Sequence, residues 1–203
     1  MPRIRAESID EHKELTRRAL LDSAREQIAR AGGVEIALAD VAIAAGVGRT
    51  TFYEYFSDRD DVVASLVEEE LPVVLEGIIA SVDPSLTVVE RLGELAAGMV
   101  EFVADDPVLG VILHKEIGRM SPRSQERIAL AHSQLSSEMT DLYRSGVAEG
   151  SFRPFPPGLA GMLIQDSIMA GARLIISSRS HRPDVAAITE AVKSFLLAGL
   201  GDR

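Results

Sequence analysis

Cysteine and tryptophan do not occur in this 203-residue chain, tyrosine occurs three times, and lysine is confined to Lys13, Lys115 and Lys193. The missing thiols exclude a disulfide framework, a zinc–thiolate site and a cysteine nucleophile. They also fit a reducing compartment, so a cytoplasmic location is expected. Strand patterning is nearly absent, because apolar residues recur at steps of three and four rather than two. The longest apolar stretch, residues 159–176, is interrupted by Gln165, Asp166 and Arg173, so no membrane span is expected. Residues 1–16 alternate charges without an apolar centre, and no secretory signal is expected there.

The signatures of catalysis are missing too. Gly48-Arg49-Thr50 lacks the lysine and the upstream glycine of a phosphate-binding loop, and no strand pattern precedes it. No glycine fingerprint marks a dinucleotide site, and no serine sits in a nucleophile elbow. The four histidines lie far apart, without metal-ligand spacing. The expectation is no enzyme, no cofactor and no metal. Charge is one-sided, at a formal net −10. Residues 1–66 carry nine Lys/Arg against twelve Asp/Glu, and the remainder carries twelve against nineteen. Indiscriminate binding of nucleic acid is therefore disfavoured, and any DNA contact must rest on a few well-placed cations.

What is present is helix, punctuated by Gly, Pro and capping residues. Leu20, Leu21, Ala24 and Ile28 form one stripe over residues 16–31, with Thr16 as N-cap and Gly32-Gly33 as a left-handed exit. Short helices are expected over residues 38–45 and 49–56. Ser57 to Asp60 has the spacing of a capping box, opening a long helix that Pro72 should kink or divide. Thr87 to Glu90 is a second box, ahead of a helix that buries Leu92, Leu95, Met99, Phe102 and Val103. Asp106-Pro107 and Ser121-Pro122 read as caps followed by proline at the first helical position. The helix after Ser121 is expected to run unbroken through Ile128, Leu135 and Leu142 to Gly146. Pro156-Pro157 and Pro183-Asp184 should begin the last two. The expected fold is all-α, with about nine helices. A three-helix unit containing a helix-turn-helix occupies residues 1–66, and a helical ligand-binding and dimerisation domain occupies residues 67–203.

Residues 38–56 read LADVAIAAGVGRTTFYEYF. Val41, Ala42 and Ala45 give the first helix an inward face, Gly46 permits the sharp turn, and Val47 plugs the space between the helices. Phe52 and Phe56, four apart, anchor the second helix from below. Arg49, Thr50, Thr51, Tyr53 and Tyr55 are then left to face outwards. Such a set suits a helix laid in the major groove, where hydroxyls and one arginine meet phosphates, thymine methyls and base edges. By pattern alone, a packing unit with no DNA role accounts for the same spacing. Arg3, Arg5, Lys13, Arg17 and Arg18 resemble a basic arm, but Glu7, Asp10, Glu11 and Glu14 dilute it. A solvated, disordered tail is the expectation there.

Over residues 16–67 the sequence resembles the tetracycline-repressor (TetR) family of bacterial regulators. The resemblance rests on Leu21-Asp22-Ser23-Ala24, Asp40-Val41-Ala42, Ala45-Gly46-Val47, Thr51-Phe52-Tyr53, Tyr55-Phe56, and Arg59 where the family usually has lysine. Gly146 through Gly150 to Phe152-Arg153 is similar to the family's link before its eighth helix. The resemblance implies that Thr50, Thr51, Tyr53 and Tyr55 lie at the groove of a palindromic operator, Arg49 at its edge, and Arg59 on a phosphate beside the start of the fourth helix. It also implies a homodimer that is a repressor. Three positions depart from the pattern. Ala37 stands where a capping Thr is usual, Gly48 replaces a Ser cap, and Glu54 brings a carboxylate to the recognition helix.

In the C-terminal part, His114, Gln165 and Asp166 are polar groups inside apolar helical segments and need partners if buried. With Met99, Phe102, Ile117, Met139, Tyr143, Met162 and Met169 they suggest a cavity for a small, mostly apolar effector, cationic or hydroxylated, anchored by Asp166 and His114. Gly158, Ala160, Gly161, Ala170, Gly171 and Ala172, with the apolar stripe of the last helix, suggest a four-helix contact between two copies. The leading expectation is a ligand-responsive DNA-binding regulator. The alternative is a small-molecule-binding helical module whose DNA binding is secondary or lost.

Overall fold

The computed structural model describes residues 2–156, 158–177 and 184–201, with side chains from residue 10 onward. Among them ten α-helices occur, in the order α1 (Pro2–Ala31), α2 (Leu38–Ala44), α3 (Arg49–Tyr55), α4 (Arg59–Ser81), α5 (Val88–Asp105), α6 (Pro107–Val111), α7 (Pro122–Ala131), α8 (Ser133–Glu149), α9 (Leu159–Ser177) and α10 (Val185–Leu200). A π-helical turn, Ile112–Glu116, and a 3-10 turn, Ile117–Arg119, join α6 to α7. No strand is present among the described residues; Phe152 and Gly201 form an isolated antiparallel bridge. The expected starts at Pro157 and Pro183 fall outside the described residues.

Helices α1 to α4 close around one core. Leu20, Leu21, Ala24 and Ile28 of α1 meet Val41 and Ala42 of α2, Phe52 of α3, Phe56, and Val62, Val63, Leu66 and Val67 of α4, all buried. Gly46 sits at φ +74°, a left-handed conformation that glycine takes without strain, and the chain turns there between α2 and α3. Arg59, Asp60 and Asp61 open α4 beneath α3.

Three helix boundaries differ from the sequence expectation. The first helix does not begin at Thr16 but runs from Pro2, so the segment expected as a disordered tail is helical. Residues 3–31 contain no glycine or proline, so nothing in the backbone stops the helix. The Thr16 hydroxyl donates to the His12 carbonyl at 2.8 Å instead of capping. Pro72 does not divide α4, whose flanking Leu71 and Leu75 are fully buried and hold the helix through the missing hydrogen bond. The helix expected after Ser121 is broken at His132 into α7 and α8, because α7 packs on α4 whereas α8 packs on α5. The cap at α4 is also displaced by one residue. Asp58 accepts from the Asp61 N–H at 2.8 Å, and Asp61 accepts from the Ser57 N–H at 2.8 Å.

In the C-terminal part α5 is the axis, with α8, α9 and α10 packed around it. Its capping box at Thr87 and Glu90 is present. A Cβ on Gly171 would lie 2.9 Å from Val192, so this glycine brings α9 against α10 within one protomer. Ala160, Ala172 and Leu196 are likewise buried inside the protomer. These residues therefore do not supply the contact between copies that the small-residue pattern suggested. Gly146 is needed because the Phe152 ring lies on it, where a Cβ would come within 2.2 Å. Helix α9 is, by length and composition alone, apolar enough to cross a membrane despite Gln165, Asp166 and Arg173.

One hydrophobic cluster runs continuously from α1 to α10, and the expected boundary at residues 66 and 67 falls inside α4. Ion pairs lock this seam. Arg25 bonds to Glu70 and, at 2.7 Å, to Asp106. Arg127 of α7 grips Asp61 at 2.6 Å, Glu68 and the Ser65 hydroxyl. Asp60 accepts from the Ser121 N–H at 2.6 Å. Helix α4 is thus held by α1 on one side and by α7 on another.

Candidate nucleic-acid interface and effector cavity

Helix α3 presents Arg49, Thr50, Tyr53 and Glu54 to solvent. Its N-cap is Gly48, extended at φ −77° and without a side-chain bond, and Ala37 likewise leaves α2 uncapped. The Arg49 guanidinium lies 5.8 Å from the Tyr53 ring centroid, and its Nη2 is 3.5 Å from the phenol oxygen. Tyr53 is edge-on to Phe52, which pins the ring base while its hydroxyl remains outside. Thr51 and Tyr55 are half-buried. They face a groove shared with His12, Lys13 and Gly48, so the five residues expected at the surface divide into three exposed and two recessed.

Arg59 is held. Its Nη1 bonds to Glu35 at 2.6 Å and its Nη2 to Asp60 at 3.4 Å, while its Nε is buried without a partner. Any phosphate at this position competes with two carboxylates. Asp61 adds to the local negative charge. Burial pushes its carboxyl up, but hydrogen bonds from Ser57 and Arg127 outweigh that and leave its pKa below the usual value. Arg49 and Lys13 supply positive charge to this surface, and Arg59 adds to it by leaving Glu35.

In the C-terminal part a partly open cavity of about 170 Å³ is lined by Met99 of α5, His114 of the π-turn, His132 at the α7–α8 break, Leu135, Ser136, Met139 and Thr140 of α8, and Gly161, Ile164, Gln165, Ile168 and Met169 of α9. A π-turn is a frequent device for aiming a side chain at a functional site. Here it aims His114 so that Nδ1 lies 2.7 Å from the Met169 sulfur, while Nε2 is buried without a partner. Burial, reinforced by the positive charges of His132 and Arg173, depresses the His114 pKa to about 4. Burial also lowers that of His132. Both imidazoles are accordingly neutral near pH 7, and no carboxylate lines the cavity.

Of the ten residues expected around an effector, the structure brings together Met99, His114, Met139, Gln165 and Met169. The other five lie elsewhere. Phe102 is packed in the general core and Ile117 is half-buried on the 3-10 turn. Tyr143 accepts from the Phe155 N–H at 2.9 Å and donates to the Arg153 carbonyl at 3.2 Å, fixing the loop after α8. Met162 is 63% exposed, and Asp166 is exposed on the outer face of α9. Sequence reasoning passed over His132, Ser136 and Thr140, although their spacing of four places them on one face of a helix. No group of histidine and carboxylate residues that could hold a metal occurs among the described residues.

Two family models match the chain, together over more than half of its length. One, for bacterial regulatory proteins of the tetR family, matches residues 20–66, and the other, for a tetracyclin repressor-like C-terminal domain, matches residues 85–172. The fatty acid metabolism regulator protein of Bacillus subtilis is 20% identical over 187 residues, covering 91% of this chain and 95% of that protein. The transcriptional repressor LfrR of Mycolicibacterium smegmatis is 44% identical over 54 residues, 27% of this chain and 28% of that one. The crystal structure of FadR from Bacillus subtilis in complex with stearoyl-CoA superposes with a TM-score of 0.75 at 20% identity, covering 90% of this chain and 98% of that one. The chain belongs to the TetR family and is a DNA-binding transcriptional regulator with a C-terminal ligand-binding domain.

Proposed function

We propose that this regulator is a cytoplasmic, homodimeric repressor that reads a palindromic operator through α3 and is released by a small, mostly apolar effector held in the cavity. The observation that carries the reading is that cavity: partly open, largely apolar, and lined by neutral hydrogen-bonding groups. About 150 Å³ is enough to admit benzene, so the present volume suits a ring or a short acyl segment. The stearoyl-CoA of the Bacillus subtilis relative is an apolar chain on a carrier, and it supports an apolar effector here. The exposed position of Asp166 argues against a cationic one.

Residues 1–66 act as the recognition unit, with Arg49, Thr50, Thr51, Tyr53 and Tyr55 at the groove and Arg59 at a phosphate. Residues 67–203 sense the effector and dimerise. The dimer face is the apolar outer surface of α9 and α10, where Phe195 is 72% exposed, Met162 63% and Leu174 53%. Covering this face also accounts for the high hydropathy of α9 without a membrane. The route from cavity to DNA runs through α7. His132 lines the cavity at one end of that helix, and Ser121 and Arg127 grip the start of α4 at the other. An effector that shifts α7 therefore moves α4 and, with it, the spacing of the two recognition helices.

Fluorescence anisotropy on DNA flanking the protein's own gene tests this reading. The wild type should bind as a dimer, and Phe195→Glu should sediment as a monomer and lose the operator. A fully dimeric Phe195→Glu, or wild-type protein that does not distinguish this DNA from random duplex, contradicts it.

A further inference from the structure

Folding alone gives no reason for a carboxylate at Glu54. It sits one residue from the end of α3, where the helix dipole disfavours negative charge. The positions three and four residues away, Thr50, Thr51, Ser57 and Asp58, hold no cation. Among the described residues it has no ion-pair or hydrogen-bond partner, although Lys13 lines the same groove. Its place on the helix is nevertheless central. At about 100° per residue, a position two steps from Phe52 and two from Phe56 lies about 160° from each. Those two rings are buried. The exposed Glu54 therefore marks the middle of the outward face, one turn on from Thr50, with Tyr53 and Tyr55 to either side. In a helix laid in the major groove the middle of that face meets base edges, while the flanks meet the backbones. The seven residues of α3 span about 10 Å, within a groove about 12 Å wide, so its last turn reaches bases as its first does.

We propose that Glu54 is a specificity-determining residue for the operator and that it selects cytosine, by accepting a hydrogen bond from the N4 amino group. This rests on α3 being the helix that reads the operator. A carboxylate only accepts. Guanine offers the acceptors O6 and N7 in the major groove and thymine offers O4, so both repel it. Adenine offers its N6 amino group but sets N7 beside it, and one carboxylate oxygen then meets a lone pair. Cytosine presents its amino group with no acceptor alongside on the same base. Phosphate is excluded as guanine is, by charge as well as by lone pairs. Glu54 therefore acts in two directions: it weakens binding to any duplex that lacks the donor and restores it where cytosine stands.

Enrichment of binding sites from a pool of random duplexes by the full-length protein reads the choice directly, with anisotropy on the enriched duplex for affinity. Wild type should enrich a motif with a C·G pair at one position of each half-site. Exchanging that pair for T·A should weaken wild-type binding about fivefold or more. Glu54→Gln should move the preference at that position to A·T, because an amide both accepts and donates and so matches N6 and N7 together. Glu54→Ala should accept all four pairs there alike and bind random duplex more tightly than wild type, while the rest of the motif is unchanged. Placing 2-pyrimidinone, which lacks the amino group, at that cytosine should weaken wild type more than Glu54→Ala. If the three proteins enrich the same motif, or if the position that changes is not C·G in the wild-type motif, the assignment is overturned while α3 remains the reader. If wild type enriches no motif at all, the reading of α3 falls together with this one.

Discussion

On α3 the polar groups point out from a core that ends at Phe52 and Phe56, and water satisfies them until DNA arrives. The cavity is lined mainly by apolar side chains, and beside it the His114 Nε2 is shut off from water. The difference sets the energetic character of each site. An exposed hydroxyl such as that of Thr50 costs nothing while it waits, so the recognition helix can be fully formed without DNA. The buried imidazole costs free energy in the folded chain, and a ligand that fills the apolar cavity would stabilise the folded state by binding it alone. Between them lies α4, whose acidic residues from Asp60 to Glu70 are each held by a cation or an N–H. Arg17, Arg25 and Arg127 are committed to these carboxylates, and that leaves fewer cations free for phosphates.

The largest effect should come from the base of the recognition helix. Phe52→Ala removes a fully buried ring, 0% exposed, and should destabilise the protein by about 3–5 kcal/mol in denaturant unfolding. It should abolish operator binding although every outward residue of α3 is kept. A smaller loss would mean that α3 is held mainly from elsewhere.

Next in size is the cost of the buried imidazole. The pKa of His114 is about 4 in the folded chain against 6.5 unfolded, so the unfolded state takes up its proton first as pH falls. Stability should therefore decline from about pH 6.5 down to pH 4 and then level off, by up to about 3 kcal/mol. His132, shifted in the same direction, adds to the slope. The wild type minus His114→Phe difference in melting temperature between pH 7.5 and pH 4.5 isolates this contribution. No difference would mean that the ring is not desolvated.

The smallest effects belong to the exposed DNA face. Tyr53→Ala should weaken operator binding by about 1–3 kcal/mol and relax sequence preference. Arg59→Ala should reduce the salt slope by about one or less, because Glu35 and Asp60 compete with phosphate for this side chain. An unchanged slope would take Arg59 off the phosphate altogether.

The two regions also differed in how far they could be read from sequence. The recognition helix is one contiguous segment, so Gly46, Phe52 and Phe56 reveal its orientation by spacing alone, and the capping box at Thr87 is equally local. The cavity is assembled from α5, the π-turn, α8 and α9, and nothing local marks residues that meet only after folding. Asp166 and Gln165 are adjacent in sequence, yet one helical step of 100° puts Gln165 on the cavity wall and Asp166 outside. The break at His132 could not be read from helix propensity because tertiary packing on α4 and α5 imposes it. Gly171 and Leu196 read as contacts between copies, but small and apolar residues serve a helix pair inside one protomer equally well.

The central claim is that cavity and recognition helix are coupled, and filling the cavity covalently tests it without any ligand. Ile164 is buried on the cavity wall, and Ile164→Phe directs a ring into the void, where the usual penalty for overpacking should not arise. Operator anisotropy of this variant, with its melting temperature measured in parallel, is the decisive measurement. The account predicts an undiminished melting temperature and operator affinity about five- to 150-fold weaker than wild type. An equally stable variant that binds the operator as tightly as wild type would contradict it.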